Sequence, residues 1–418
     1  MDDEVWSLRG SLNEDVFVTY VKVKVLPESE ALSPQIKPKS KIYILLGSVL
    51  SILTLLFLFS LCILYWRSLL SKREQEEDDD DDDDVLLDAA EGFPSRFSYT
   101  DLHNITNGFE RQLGKGGFGA VYAGQLPDGT RVAVKKLDSV IHINKMNKEF
   151  KAEEAIMGVM SHNNLLRLRG FCAQKGHRIL VYDYMENGSL DKWLFSDGHR
   201  RSQLTWRMRC KIALGIAQGI AYLHNEARER VIHLDIKPEN ILLDESFEAK
   251  VADFGISRLL EKNETQVMTA IRGTPGYMAP DWLNEGAIDE KCDVFSYGKL
   301  LMEIIGGRRN LDVSVEPMDK VYYPEWAFWQ AQKNNIALLT DATLHSDEDI
   351  IDLRRMIKTA FLCVLEDPKM RPPMAQVVNM LKGLVHVQDL DLSSLLQGLL
   401  FVLRNPSSPT TTQIGGAL

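Results

Sequence analysis

The chain has no C-x-x-C pair. Its five cysteines, Cys62, Cys172, Cys210, Cys292 and Cys363, are widely spaced and odd in number, which argues against a zinc knuckle or a redox dithiol and reads as reduced, buried thiols. It also has no stripe of lysine or arginine. With a net charge of -11 and its acid concentrated in one run, it offers no phosphate-neutralising face, which argues against a nucleic-acid partner. No cysteine falls within residues 1–41, so a stretch too short for a core of its own has nothing to staple it. The opening Met1-Asp2-Asp3-Glu4 is acidic and no short apolar region follows, so the start does not read as a cleaved signal peptide.

Charge is missing altogether from Ile42 to Trp66, about 25 residues that as a helix would span about 37 Å, enough to cross a bilayer with some tilt. Tyr43, Tyr65 and Trp66 place aromatics at both ends, as interfacial anchors would. The basic residues on the two sides, Lys37, Lys39 and Lys41 against Arg67, Lys72 and Arg73, come close to a tie, so charge does not orient the span.

What is present divides in order. At 418 residues and 45% apolar, the chain is long enough for about two or three domain-sized units. The alternation from Val16 to Val25 reads as one strand in a short remnant, residues 1–41, with Pro27, Pro34 and Pro38 leading into the span at 42–66. Residues 67–107 form an acidic linker whose aspartates, Asp78 to Asp84, repel one another and lack the glycine turn and spaced ligands of a calcium loop. Order returns near Phe97-Ser98-Tyr99, where Thr100-Asp101-Leu102 opens a short helical pattern leading to Phe109.

Residues 112–137 read as three strands. Gly114-Lys115-Gly116-Gly117-Phe118-Gly119 is a G-x-G-x-x-G that dinucleotide-binding folds also use, but those need a helix next, and here Ala120-Val121-Tyr122-Ala123 continues as strand and turns at Pro127-Asp128-Gly129. A glycine-rich hairpin lets backbone amides cover nucleotide phosphates. On the returning strand Ala133 and Lys135 share one face, suited to a base and its phosphates, while Lys136 on the other face reads as a surface charge. Between Glu149 and Met160, Glu153 shares a helical face with Ile156, Met157 and Met160, so it looks inward and is the chosen partner of Lys135. Leu180 to Met185 reads as a buried strand running into a hinge at Glu186-Asn187-Gly188, and the chain after Leu190 is mainly helical.

In that helical part lies His233-Leu234-Asp235-Ile236-Lys237-Pro238-Glu239-Asn240, flanked by the short apolar strands Val231-Ile232 and Ile241-Leu242-Leu243. It joins an acid to orient and deprotonate a hydroxyl, a base to neutralise a transferring phosphate and an amide to hold a metal ion. Val251-Ala252-Asp253-Phe254-Gly255 follows at short range and supplies a second oxygen ligand in Asp253.

Taken in order with Ala279-Pro280-Asp281, these motifs resemble those of eukaryotic protein kinases over about residues 108–385, leaving 386–418 as a tail. The likeness is greatest to plant receptor-like serine/threonine kinases of the G-type (bulb-lectin) S-receptor-like group, through Arg96-Phe97-Ser98-Tyr99, Leu126-Pro127-Asp128-Gly129, Leu168-Arg169-Gly170-Phe171-Cys172 and Asn187-Gly188-Ser189-Leu190, though the lectin ectodomain of that group has no counterpart here. The resemblance implies an α+β, bilobal kinase fold, with a β-rich small lobe and a helical large lobe, behind a single transmembrane helix, the kinase domain facing the cytosol at the plasma membrane. It implies ATP and Mg2+ as cofactors, protein substrates, and signalling with a co-receptor or as a homo-oligomer; a weakly active or pseudokinase scaffold is the alternative, against which every catalytic position is filled.

By the same resemblance Asp235 is the catalytic base with Lys237 beside it, Lys135 and Glu153 position the phosphates, and Asn240 with Asp253 holds the metal. Leu113, Gly114, Gly116, Gly119, Val121, Ala133 and Lys135 line the ATP site, Tyr182 is the gatekeeper, and Asp183 to Met185 are the hinge. Thr265, Thr269 and Thr274 belong to the activation and substrate-facing segment, and Asp293 anchors the catalytic loop. Two departures stand out. Leu234 occupies the position where many kinases have an arginine that grips an activation-segment phosphate, which implies a non-RD kinase whose activity does not depend on phosphorylation at Thr265 or Thr269. Asp281 replaces the usual glutamate partner of an arginine, here Arg371, and is one methylene shorter, so the loop is expected to shift to meet it. Leu395 to Leu403 in the tail is a short apolar run read as a frayed end.

Overall fold

The structure, a computed structural model, describes residues 51–66, 94–116, 119–137, 143–158, 160–174, 176–196, 199–260, 267–268, 273–312 and 322–387. The chain divides after Val85 into two units. In the first, residues 51–66 form helix α1, which covers the latter part of the expected span. Among the described residues no helix is long and apolar enough to cross a membrane. The strand expected at Val16 to Val25, the aspartate run and the apolar stretch at Leu395 to Leu403 lie outside the described residues.

The second unit begins with a six-stranded sheet. Strands β1 (Ser95–Arg96), β2 (Gln112–Gly116), β3 (Gly119–Gln125), β4 (Arg131–Leu137), β5 (Leu168–Gln174) and β6 (His177–Asp183) lie in the order β1-β5-β6-β4-β3-β2. β1 runs parallel to β5, and the β2-β3-β4 and β5-β6 hairpins are antiparallel. Helix α2 (Tyr99–Ile105) starts from a capping box in which Ser98 and Asp101 satisfy each other's backbone N–H groups. Its Leu102 is fully buried with Val132, Val134, Cys172, Ile179 and Val181 in a small core of its own on one face of the sheet. Helix α3 (Ile143–Met157) lies against β5 and β6 and contributes to the main core. It stops before Met160, which the helical pattern of the sequence places on the same face.

The sheet and its small core also take in elements upstream of the expected domain start at residue 108. β1 and α2 supply a sheet edge and half a core, and Gly170 shows how closely they fit: a Cβ at Gly170 would lie 2.2 Å from the Ser95 carbonyl and 2.4 Å from the Phe97 ring. The Phe97 N–H continues the pairing by donating to the Phe171 carbonyl at 2.8 Å. Two of the family-like motifs, Arg96 to Tyr99 and Leu168 to Cys172, are thus the two sides of one contact.

The large lobe is helical. After the two-residue strand β7 (Gly188–Ser189) come α4 (Asp191–Leu194), α5 (His199–Gln203) and α6 (Trp206–Asn225), the last capped by Thr205. Short strands β8 (Arg230–Ile232), β9 (Ile241–Leu243), β10 (Ala249–Val251) and β11 (Arg258–Leu260) follow, with β9 between β7 and β10, and β8 against β11. β12 (Val267–Met268) pairs with β13 (Ala287–Ile288), on either side of α7 (Pro280–Glu285). Helix α8 (Glu290–Gly306) is buried from Cys292 to Gly306 and forms the axis of the lobe, with α9 (Tyr323–Gln332), α10 (Asp347–Cys363) and α11 (Met374–Leu381) completing it. All five cysteines are free; Cys172, Cys292 and Cys363 are buried as expected, whereas Cys210 is half-buried and Cys62, on α1, is exposed. Burial pushes the Cys210 and Cys363 thiols up to about 12, so neither is a thiolate near neutral pH.

Candidate active site

The sheet register assembles the upper half of the cleft. Gly114 pairs with Val121, Val121 with Lys135, and Ala133 with Tyr182, so residues far apart in sequence become neighbours on adjacent strands. Leu113 sits at the irregularity between Gln112 and Gly114 where the β2 register slips. Gly119, at φ +136°, is required by the backbone: a Cβ there would lie 2.2 Å from the Lys136 carbonyl. At Gly114 and Gly116 a Cβ would meet no atom within 4 Å, so the space beside these glycines is open. Gly117 and Phe118 between them lie outside the described residues.

Lys135 projects from β4 to two acids. Its Nζ donates to the Glu153 carboxylate at 2.9 and 3.1 Å and to Asp253 Oδ1 at 2.9 Å. Glu153 is buried on α3, and the Tyr182 hydroxyl donates a very short hydrogen bond to its Oε1. Burial works against the charge on Lys135, but Asp253 and Glu153 outweigh it and hold the ammonium well above its ordinary range. Burial raises the Glu153 carboxyl, with Lys135 opposing and Asp253 reinforcing. For Asp253 burial is again unfavourable, yet Lys135 wins and the carboxyl stays below its ordinary value. Asp183 at the end of β6 accepts a short ion pair from Arg169 Nε, and Arg131 lies 3.7 Å over the ring of Tyr184 in the hinge. β6 ends at Asp183, so Tyr184 and Met185, expected as part of the buried strand, lie beyond it in irregular backbone.

The lower half is the loop between β8 and β9. Asp235 is buried and held on every side: Lys237 Nζ donates to its Oδ2 at 2.7 Å, Thr274 Oγ1 to its Oδ1 at 2.6 Å, and Asn240 Nδ2 to its Oδ2 at 2.8 Å. Lys237 Nζ also donates to Thr274 Oγ1 at 2.7 Å, which closes a triangle of acid, base and hydroxyl. The turn Pro238–Asn240 is 3-10 helical and swings Asn240 back onto Asp235. With its amide N–H groups spent on Asp235, Asn240 keeps its oxygen as the remaining ligand atom.

The loop is fixed from below by Asp293 on α8. Its Oδ2 accepts from the His233 N–H and its Oδ1 from the Leu234 N–H, both at 2.8 Å, and His224 Nε2 lies 2.9 Å from Oδ2. These bonds hold Leu234 at φ +68°, an unfavourable conformation for leucine, with its side chain buried in the main core. Arg371 Nη2 meets Asp281 Oδ1 at 2.5 Å, so the shorter acid reaches its partner. Nearby, buried Glu303 accepts from the Tyr277 hydroxyl at 2.6 Å and from the Asn310 N–H at 2.9 Å. Thr265 and Thr269 lie outside the described residues.

Sequence reasoning missed three of these contacts: the Tyr182 hydroxyl on Glu153, the direct Lys135 to Asp253 pair, and the Thr274 hydroxyl on Asp235. The strand alternation that selected Lys135 carries no information about the element across the cleft, so the first two had no local signal.

Residues 108–380 match the protein kinase domain family. The chain belongs to that family. Over this kinase region it is similar to plant receptor-like serine/threonine kinases: it is 47% identical over 303 residues to the G-type lectin S-receptor-like serine/threonine-protein kinase SD2-5 of Arabidopsis thaliana, covering 72% of this chain and 36% of that protein. It is 41% identical over 296 residues to the corresponding kinase LECRK3 of Oryza sativa subsp. indica, covering 70% and 36%. A probable receptor-like protein kinase of Arabidopsis thaliana is 41% identical over 312 residues, covering 71% of this chain and 68% of that protein. The chain spans about a third of the length of the G-type lectin relatives it matches.

The family uses ATP with divalent metal, and the kinase cleft suits both. The carboxylate of Asp253 and the free amide oxygen of Asn240 are hard ligands, and two acids share the single Lys135 ammonium. The open space beside Gly114 and Gly116 leaves room for a phosphate chain.

Proposed function

We propose that the chain is a membrane-anchored receptor-like serine/threonine protein kinase that transfers the γ-phosphate of ATP to protein hydroxyls. The observation that carries this reading is the triangle of Asp235, Lys237 and Thr274 facing the Lys135, Glu153 and Asp253 cluster. Asp235 orients the incoming serine or threonine hydroxyl and takes its proton as the oxygen bonds to the γ-phosphorus; the bond to the β,γ-bridging oxygen breaks and ADP leaves. Lys237 neutralises charge on the moving phosphoryl group, and Lys135, held by Glu153, grips the α- and β-phosphates. Asn240 and Asp253 would hold Mg2+, which supplies charge neutralisation on the phosphates. Leu113, Val121, Ala133, Tyr182 and the Asp183 to Met185 hinge enclose the adenine.

Residues 42–66 serve as the membrane span at the plasma membrane, with the kinase domain in the cytosol. Leu234 makes this a non-RD kinase, since leucine cannot pair with an activation-segment phosphate. The direct test incubates the full chain in detergent with labelled ATP, Mg2+ and a panel of proteins. Label on serine and threonine that disappears in Asp235→Asn is the expected result; equal signal from wild type and Asp235→Asn overturns the reading.

A further inference from the structure

Lys136 follows the phosphate-facing lysine and points the other way. It is not the free surface charge that strand alternation suggested: its ammonium lies 4.8 Å from the centre of the Phe109 ring and 5.6 Å from that of Tyr99. Tyr99 in turn stacks on His177 at 4.0 Å, and Phe109 meets Tyr122 edge-on at 5.3 Å. Lys136 is thus gripped by two rings from the segment around α2, which are themselves seated on β6 and β3.

The backbone is bent to make this grip. After α2, Asn107, Gly108 and Phe109 all take positive φ, at +50°, +74° and +60°. For an aromatic residue that is an uncommon and unfavourable conformation. It is fixed locally: the Phe109 N–H donates to Thr106 Oγ1 at 3.1 Å, and that buried hydroxyl donates to the Leu102 carbonyl at 2.7 Å. The turn reverses the chain and lays the Phe109 ring back over the sheet.

We propose that residues 97–109 act as a clamp that sets the position of Lys135 by holding Lys136 from the opposite face of β4, making Lys136, Tyr99 and Phe109 positioning residues for nucleotide capture. The clamp rests on the reading of Lys135 as the phosphate-gripping lysine. Residues 97–109 lie in the same unit as β4, so their displacement changes nucleotide affinity without touching the cleft.

The test measures Mg2+-dependent binding of a non-hydrolysable ATP analogue to the full chain, so that it does not depend on catalytic turnover. Cation–π contacts of this kind set the expected size: Lys136→Met and Phe109→Leu each weaken analogue binding about 3- to 10-fold, with kcat for any protein substrate within about twofold of wild type. Lys136→Arg, which keeps a cation over the rings, restores binding, and hydrogen exchange of the 131–137 amides quickens in Lys136→Met and returns in Lys136→Arg. Unchanged analogue affinity in Lys136→Met, or Lys136→Arg no better than Lys136→Met, overturns the clamp. Binding by wild type with no phosphoryl transfer overturns the kinase reading alone and leaves these comparisons decisive for the clamp.

Discussion

Lys135 and Arg371 are both cations held among acids, and they are satisfied in opposite ways. Arg371 makes four hydrogen bonds: Nε donates to the Leu365 carbonyl at 2.7 Å, Nη1 to that of Lys291 at 3.1 Å, and Nη2 to the Glu366 carbonyl at 3.0 Å and to the Asp281 carboxylate at 2.5 Å, one charge against one. Lys135 serves two carboxylates, Glu153 and Asp253, both at 2.9 Å, so the three side chains together carry one negative charge. The first cluster is complete as it stands. The second carries a net negative charge, which on the proposed function a metal ion with ATP would neutralise, and that imbalance is the difference between the two clusters.

The largest expected effect tests the working side. Asp235→Asn lowers phosphoryl transfer by about 10²- to 10⁴-fold, the range for loss of a general base, with no matching loss in thermal stability. Arg371→Met tests the holding side: it strands Asp281 and costs about 3 to 5 kcal/mol in denaturant unfolding. Lys135→Met breaks the comparison if the two clusters are alike. We expect a loss of stability below the about 3 to 5 kcal/mol of a stranded buried charge, because Glu153, already raised by burial, takes up a proton. A carboxyl raised in the folded state favours folding at low pH, so that loss grows as pH rises, and unfolding of the variant across pH reads it directly.

Glu303 gives a subtler case. Burial pushes its carboxyl from the ordinary 4.5 up to about 7, with Tyr277 and Asn310 opposing. The folded chain therefore binds a proton that the unfolded chain has released, and Glu303 lowers stability as pH climbs from about 4.5 to about 7. Glu303→Gln flattens that part of the stability profile; an unchanged slope counts against the buried charge. The smallest effect is expected at Thr265→Ala with Thr269→Ala, where basal transfer stays within about twofold because Leu234 offers a phosphate no cation. A loss above about tenfold removes the non-RD reading.

Much of the cleft was legible because its residues lie in short motifs whose spacing is chemical. Period-two alternation put Lys135 on the nucleotide face, and helical spacing chose Glu153 over Glu154. What strand and helix periods do not encode is contact between elements: Tyr182 with Glu153, Thr274 with Asp235, and His224 with Asp293 bring together residues 29, 39 and 69 positions apart. The same blindness makes Lys136 read as a surface charge. The strand β1 is two residues long, below what alternation can register, and its place is fixed by the missing side chain of Gly170.

That parallel pairing of β1 with β5 has a consequence for where the folded unit begins. A chain begun after Phe109 would lose Phe97, Tyr99, Leu102, Ile105 and Phe109, which cover Val132, Val134, Ile179 and Val181. The unit that folds around β4 is therefore longer at its front edge than the motifs from Gly114 onward mark out.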